Sequence, residues 1–300
     1  MQKQFIQRLF LILFASAELS YYLLIAQTGI IEHFNSNISQ IILLPIGGIL
    51  GSLLCFLLNF SNKSKIFFFL SLQVIISFFY PNFSYVLLLI LGISIGALAP
   101  LLIKELKKLS FVELGIALAI SYTLATLLFT YDVENRKELA LFLSFIALFS
   151  SFNLPKKIIQ QKNYNNHSLF IMSFWVFLDA SLFETLSRHT LISIWRDGYT
   201  FEIVLFHLLG IAFALKYQFE KKKKEIFILS LFVLSYISYF LQESFILSIV
   251  YPFVISYYNI TIIQDLLQKD LKTISLYMIF IGWLASGLGL GIAINQLLVF

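Results

Sequence analysis

The chain has 300 residues, of which 59% are hydrophobic and 12% charged; an average soluble domain is about 25% charged. Phe alone contributes 33 residues, and the mean hydropathy is +0.88. A water-soluble globule has too little polar surface to cover that much apolar side chain, and the same numbers exclude disorder.

A bilayer is the solvent that fits. At about 20 residues per membrane helix, eleven apolar segments are legible in chain order. They run from Phe5 to Ile31, Ile38 to Phe60, Ile66 to Tyr80, Phe83 to Ile103, Phe111 to Tyr131 and Leu139 to Leu154. After a polar break come Leu169 to Leu186, Thr200 to Tyr217, Ile226 to Leu241, Phe245 to Ile263 and Ile274 to Phe300. Each is expected to be a helix, because lipid satisfies no open backbone group. Runs such as IFFFLSLQVIISFFY do not alternate, which excludes the strands of a β-barrel. The third, sixth and ninth segments are short for a span. Ala15-Ser16-Ala17 resembles a signal-peptide cleavage site. The apolar run resumes at Leu19, however, so one long span with an internal acid is the reading adopted.

The formal net charge is +5. In a soluble protein that would point to nucleic acid; in a membrane protein it sets orientation. Placed on the eleven segments, 17 of the 21 Lys and Arg residues fall on one side. The positive-inside rule makes that side cytoplasmic, with the N-terminus inside and the C-terminus outside, in the inner membrane of a bacterium. The break NLPKKIIQQKNYNNHS reads as a cytoplasmic linker. The expected organisation is therefore an all-α polytopic membrane protein of about eleven transmembrane helices in two bundles, six plus five. The first bundle covers 1–154, the linker 155–168 and the second bundle 169–300. Lys221 to Lys224 read as a topology anchor at the membrane surface. Partners are the lipid bilayer and a small solute, with protons left open and no nucleic acid.

Glycines recur four apart: Gly47 with Gly51, Gly92 with Gly96, and Gly287 with Gly291. That spacing lets membrane helices approach closely. The fourth segment, LLLILGISIGALAPLLIKEL, has paired glycines, Pro100 and a charged end. It resembles the fourth helix of the major facilitator superfamily of secondary transporters. The seventh, SFWVFLDASLFETLS, is similar to that family's acid-bearing first or seventh helix, and the central loop lies where the family joins its halves. The departures are specific. NFSNKSK carries Lys63 and Lys65 but no acid, and no Lys or Arg lies between Lys65 and Lys104. The fifth segment lacks a Gly-Pro motif, and a twelfth segment is missing. The resemblance implies a divergent or shortened member working by alternating access.

Ionisable groups at membrane depth are functional hypotheses. Glu18 and Asp179 each lie about ten residues into their segments, the first and seventh, which repeat symmetry would pair across a central cavity. Helical spacing places Tyr21 and Tyr22 on the Glu18 face, and Trp175 and Phe183 on the Asp179 face. His207 is the one histidine inside a segment. Pro252 is expected to kink the tenth segment, ahead of Tyr257, Tyr258 and Asn259; an interfacial aromatic belt would explain those tyrosines equally well. The candidate substrate-binding or proton-coupling set is Glu18, Tyr21, Tyr22, Trp175, Asp179, His207, Tyr257 and Asn259. The sharpest expectation is that Asp179, desolvated by apolar neighbours, carries the coupling proton. The alternative is that both acids only hydrogen-bond neighbouring hydroxyls or His207 and fix packing.

No segment core carries Lys or Arg, which favours a neutral, zwitterionic or cationic solute over an anion. There is no P-loop, GxSxG, HExxH or paired-Asp motif and a single cysteine, Cys55, so no cofactor or metal is expected and the chain reads as no enzyme. Competing readings are a non-transporting membrane subunit, or a membrane enzyme acting on lipid-linked substrates through His189, Arg196 and Asp197.

Overall fold

The computed structural model describes residues 2–34, 38–159, 166–188 and 193–298. Regular structure among them is helical, and every apolar segment lies on a helix. We number these α1 (Gln2–Tyr21), α2 (Leu43–Leu57), α3 (Asn62–Ser77), α4 (Tyr85–Leu106), α5 (Phe111–Leu128) and α6 (Lys137–Ser151). They continue with α7 (Leu169–Arg188), α8 (Thr200–Lys216), α9 (Lys221–Phe240), α10 (Ser244–Leu266) and α11 (Leu271–Met278). Two helices change pitch without ending. α1 runs on through a π-helical stretch, Tyr22–Ile30, and α11 through Ile279–Ala285 into a last α-helical piece, Ser286–Ile294.

Seven of these helical runs are long and apolar enough to cross a membrane: α1, α2, α4, α5, α7, α10 and α11 with their continuations. α3, α6 and α8 have only 16, 15 and 17 residues, short of the ~20 of a full span. α9 opens on four lysines, three of them exposed; Lys224, the fourth, is buried. Helix starts are set by short polar side chains. Ser61, Ser84 and Asp270 each accept from a backbone N–H two or three residues into the helix, and Ser110 with Glu113 forms a reciprocal capping box. Asp270 is held below the usual carboxylate range by the Thr273 backbone and hydroxyl it accepts from.

The chain divides into two units. The first comprises Met1–Gln161 with Lys269–Ile279, the second Lys162–Gln268 with Phe280–Phe300. In the first, α2 lies hard against α4, and the opening of α11 rests on both. α1 packs on α5 and α6, and α3 on α4 and α6. Lys107 reaches the Lys269 carbonyl, and burial together with nearby Lys104 lowers its pKa. In the second unit, α8 packs on α10, α9 on α10, and the end of α11 on α7.

The glycine pairs of α2 and α4 are what bring those two helices so close. A Cβ at Gly47 would stand 2.2 Å from the Leu89 carbonyl oxygen, at Gly51 2.0 Å from that of Ile93, at Gly92 2.2 Å from that of Leu44, and at Gly96 2.1 Å from that of Gly48. Ser52 then donates across the pair to the Gly96 carbonyl at 2.9 Å. The third predicted pair behaves differently: Gly287 and Gly291 have no atoms within 4 Å of an added Cβ. Their neighbour Gly289 makes the close contact instead, 2.6 Å from the Ala180 side chain on α7. Expected outcome: Gly51→Ala or Gly92→Ala costs roughly 1–3 kcal/mol by overpacking, while Gly287→Ala and Gly291→Ala are near neutral. Thermal unfolding of the detergent-solubilised protein checks this; equal losses at all four positions would contradict the packing described.

Candidate functional site

In the first unit the polar core gathers on α1 and α3. Glu18 is buried, and the Gln73 Nε2 amide donates to its Oε2 at 3.0 Å. One turn on, the Tyr21 and Ser77 hydroxyls meet at 2.9 Å, and Ser77 donates to the Gln73 carbonyl at 2.8 Å. Tyr22, half-buried, begins the π-helical stretch.

That stretch has its own support. A π-turn moves carbonyls off their usual i+4 donors. Thr28 donates to the Leu23 and Leu24 carbonyls at 2.9 and 3.0 Å. Arg136, at the N-cap of α6, is buried at 1% exposure. Its guanidinium donates to Leu24 O at 2.8 Å, Thr28 Oγ1 at 2.9 Å, Phe129 O at 2.6 Å and Tyr131 O at 3.0 Å. The first unit therefore does hold a buried cation, and its donors are engaged by backbone and hydroxyl oxygens.

In the second unit Asp179 lies midway along α7. Tyr251 donates to its Oδ1 at 2.8 Å and Tyr258 to its Oδ2 at 2.6 Å; the Tyr251 hydroxyl also stands 2.9 Å from the Asp179 carbonyl oxygen. Tyr251 and Tyr258 are seven residues apart on α10, two turns and hence one face. Their rings are held from behind, Tyr251 by Trp195 at 6.1 Å between centroids and Tyr258 by Phe232 at 5.6 Å. Tyr236, from α9, donates to the adjoining Leu178 carbonyl at 2.8 Å. α10 runs unbroken through Pro252. Here His207 meets Ser256 at 2.7 Å, and Gly210, one turn along α8, admits the α10 backbone.

The other predicted residues are placed elsewhere. Trp175, one turn before Asp179 on α7, is fully buried, its ring 5.2 Å from that of His167. His167 in turn bonds Glu225 through Nδ1 at 2.8 Å and Asp265 through its backbone N–H at 2.6 Å. Tyr257 is fully buried in a ring cluster with Phe213, Phe227 and Phe253. Asn259 is half-buried on α10. Of the enzyme candidates, His189 lies outside the described residues, and Arg196 and Asp197 sit exposed in a turn where Asp197 caps Ser193 N at 2.9 Å. Gln73, Tyr251 and Arg136 escaped the sequence reading. Gln73 is the lone amide in its apolar run, and Tyr251 precedes Tyr258 by two turns; those two signals were available.

No protein-family model matches the chain, and no curated protein matches it in sequence. Solved structures do. One is the crystal structure of a major facilitator superfamily transporter, FucP, in the outward conformation. It matches with a TM-score of 0.57 and 12% identity over 98% of this chain and 95% of that one. The chain thus has the major facilitator fold.

Removing either donor leaves a carboxylate oxygen of Asp179 short of a partner, at a cost of roughly 1–3 kcal/mol. Tyr251→Phe and Tyr258→Phe are each expected to lower unfolding stability in detergent by that amount in wild type, and by much less when Asp179→Leu is already present. Equal losses in both backgrounds would show that the tyrosines act by packing alone.

Proposed function

We propose that this protein is a secondary transporter of a small neutral, zwitterionic or cationic solute, working by alternating access in the inner membrane of a bacterium. Supporting the reading is one observation above others. In a chain with a transporter's fold, a mid-helix carboxylate, Asp179, is held by two tyrosine hydroxyls from a single face of α10. Ionisable groups at membrane depth are costly and are kept where they serve a pathway. The half-buried carboxylate in an aromatic surround offers charge and ring faces to a cationic or hydrogen-bonding solute. Against an anionic solute stands the engagement of Arg136 by carbonyls.

The alternation requires that the two access states solvate the site differently, since a solute shifts an equilibrium only by its differential affinity. Glu18 in the first unit and Asp179 in the second are the two carboxyls through which solute and protons act, with Tyr21, Tyr251, Tyr258 and His207 as the surrounding hydrogen-bonding groups.

Labelled solute pools offered to vesicles containing the purified protein, with and without a pH gradient, test the reading. Uptake above protein-free vesicles is expected. Asp179→Asn should lower it about ten- to a hundredfold, the equivalent of one charged hydrogen-bond set at ~1.5–3 kcal/mol. Normal uptake by a well-inserted Asp179→Asn variant would make Asp179 a packing residue. The orientation is checked separately: with eleven crossings, a reporter fused after Phe300 is active only on the outer side, and cytoplasmic activity would change the count by one.

A further inference from the structure

We propose that Glu18 is the carboxyl that carries a proton in this protein, and that Gln73 is its positioning residue. Together they form an acid–amide pair complete only when Glu18 is protonated. The functional consequence rests on the transporter reading above; the protonation state itself does not.

The argument is one of donors and acceptors. Gln73 is fully buried, and its Nε2 donates to Glu18 Oε2 at 3.0 Å. Its own Oε1 is buried without a hydrogen-bond partner among the described residues. A buried carbonyl oxygen lacking a donor is expensive, and an ionised carboxylate, an acceptor only, cannot relieve it. A protonated carboxyl can: with its O–H turned to the amide oxygen and the amide N–H on the other carboxyl oxygen, the two hydrogen bonds would close a ring. Turning the amide over changes nothing, because its oxygen would then lie 3.0 Å from Glu18 Oε2 and again require a proton between them. Asp179 is the opposite case. With the group ionised, each of its oxygens already has a tyrosine donor and no acceptor is left over.

Among the described residues, none supplies Glu18 with a counter-charge. Tyr21, on α1, is its titratable neighbour; α3 brings Gln73 and Ser77, and α5 and α6 bring Ser121, Tyr122 and Ser144 to the buried set. The other buried charges of this unit are Lys65, which donates to the Cys55 carbonyl, Glu105, paired with Lys108, and Arg136. Arg136 binds α1 at Leu24 and Thr28, six to ten residues beyond Glu18, or roughly 9–15 Å along the helix.

The step is a simple protonation. A proton adds to one carboxylate oxygen of Glu18, an O–H bond forms, and on release the proton returns to water while no other bond changes. Release reopens the deficit at Gln73, so it is favoured only where α1 and α3 rearrange or water enters. That is the coupling of proton occupancy to conformation that alternating access needs.

Infrared spectroscopy of the full-length protein in liposomes, titrated in pH without any solute, reads the carboxyl directly. A C=O stretch of a protonated carboxylic acid is expected at neutral pH. It should be lost in Glu18→Gln, survive in Asp179→Asn, and move to higher wavenumber in Gln73→Leu, where the ring's hydrogen bonds are gone. A neutral-pH spectrum without the band, a band that survives Glu18→Gln, or one that vanishes in Asp179→Asn overturns the proposal. Should Glu18→Gln not fold, the wild-type band and its shift in Gln73→Leu decide alone. Because nothing is transported, failure here leaves the transporter reading standing, and absence of uptake leaves this one standing.

Discussion

A polar group inside a bilayer has no water to turn to, so its hydrogen bonds must come from the chain itself. Most of this structure follows from that constraint. It makes every apolar segment a helix. It brings Gln73 to Glu18 and Tyr251 and Tyr258 to Asp179. It also explains why Arg136 folds into the protein. The π-helical stretch of α1 displaces carbonyls from their regular donors, and the guanidinium, with Thr28, replaces them.

The same constraint separates the two carboxyls chemically. Asp179 is met by two tyrosine hydroxyl donors. Glu18 is met by an amide that presents a donor and an oxygen left without a donor among the described residues. Two groups at equivalent sequence depth thus differ in the partners that the fold gives them. The sequence argument for Asp179 as proton carrier rested on desolvation by flanking apolar residues; the structure adds the two hydroxyls that α10 turns toward it.

Close helix approach is the other structural theme. At α2 and α4 the backbones nearly touch, because glycine removes the side chain that would hold them about 8–10 Å apart. At the end of α11 the spacing pattern is present and the approach is made by the residue between, Gly289 against Ala180. A four-residue glycine spacing therefore marks a surface able to pack, while the neighbour determines which glycine is used.

How much was legible can be traced residue by residue. Composition and apolar runs determined a helical membrane chain and the helix positions, because those depend on transfer of local segments into lipid. The fourth and seventh segments carried a resemblance that the major facilitator fold bears out. The acids Glu18 and Asp179 were visible, since charge in an apolar run is conspicuous in one dimension. What remained hidden was partnership. Gln73, Tyr251 and Arg136 lie 55, 72 and 112 residues from the groups they bond, and nothing local to Trp175 or Tyr257 says that each faces a packed interior. The sequence by itself determined what must leave water and where charge is buried. Only the tertiary structure decided which donors meet each charge, because a hydrogen bond is satisfied at about 3 Å in space, whatever the distance along the chain.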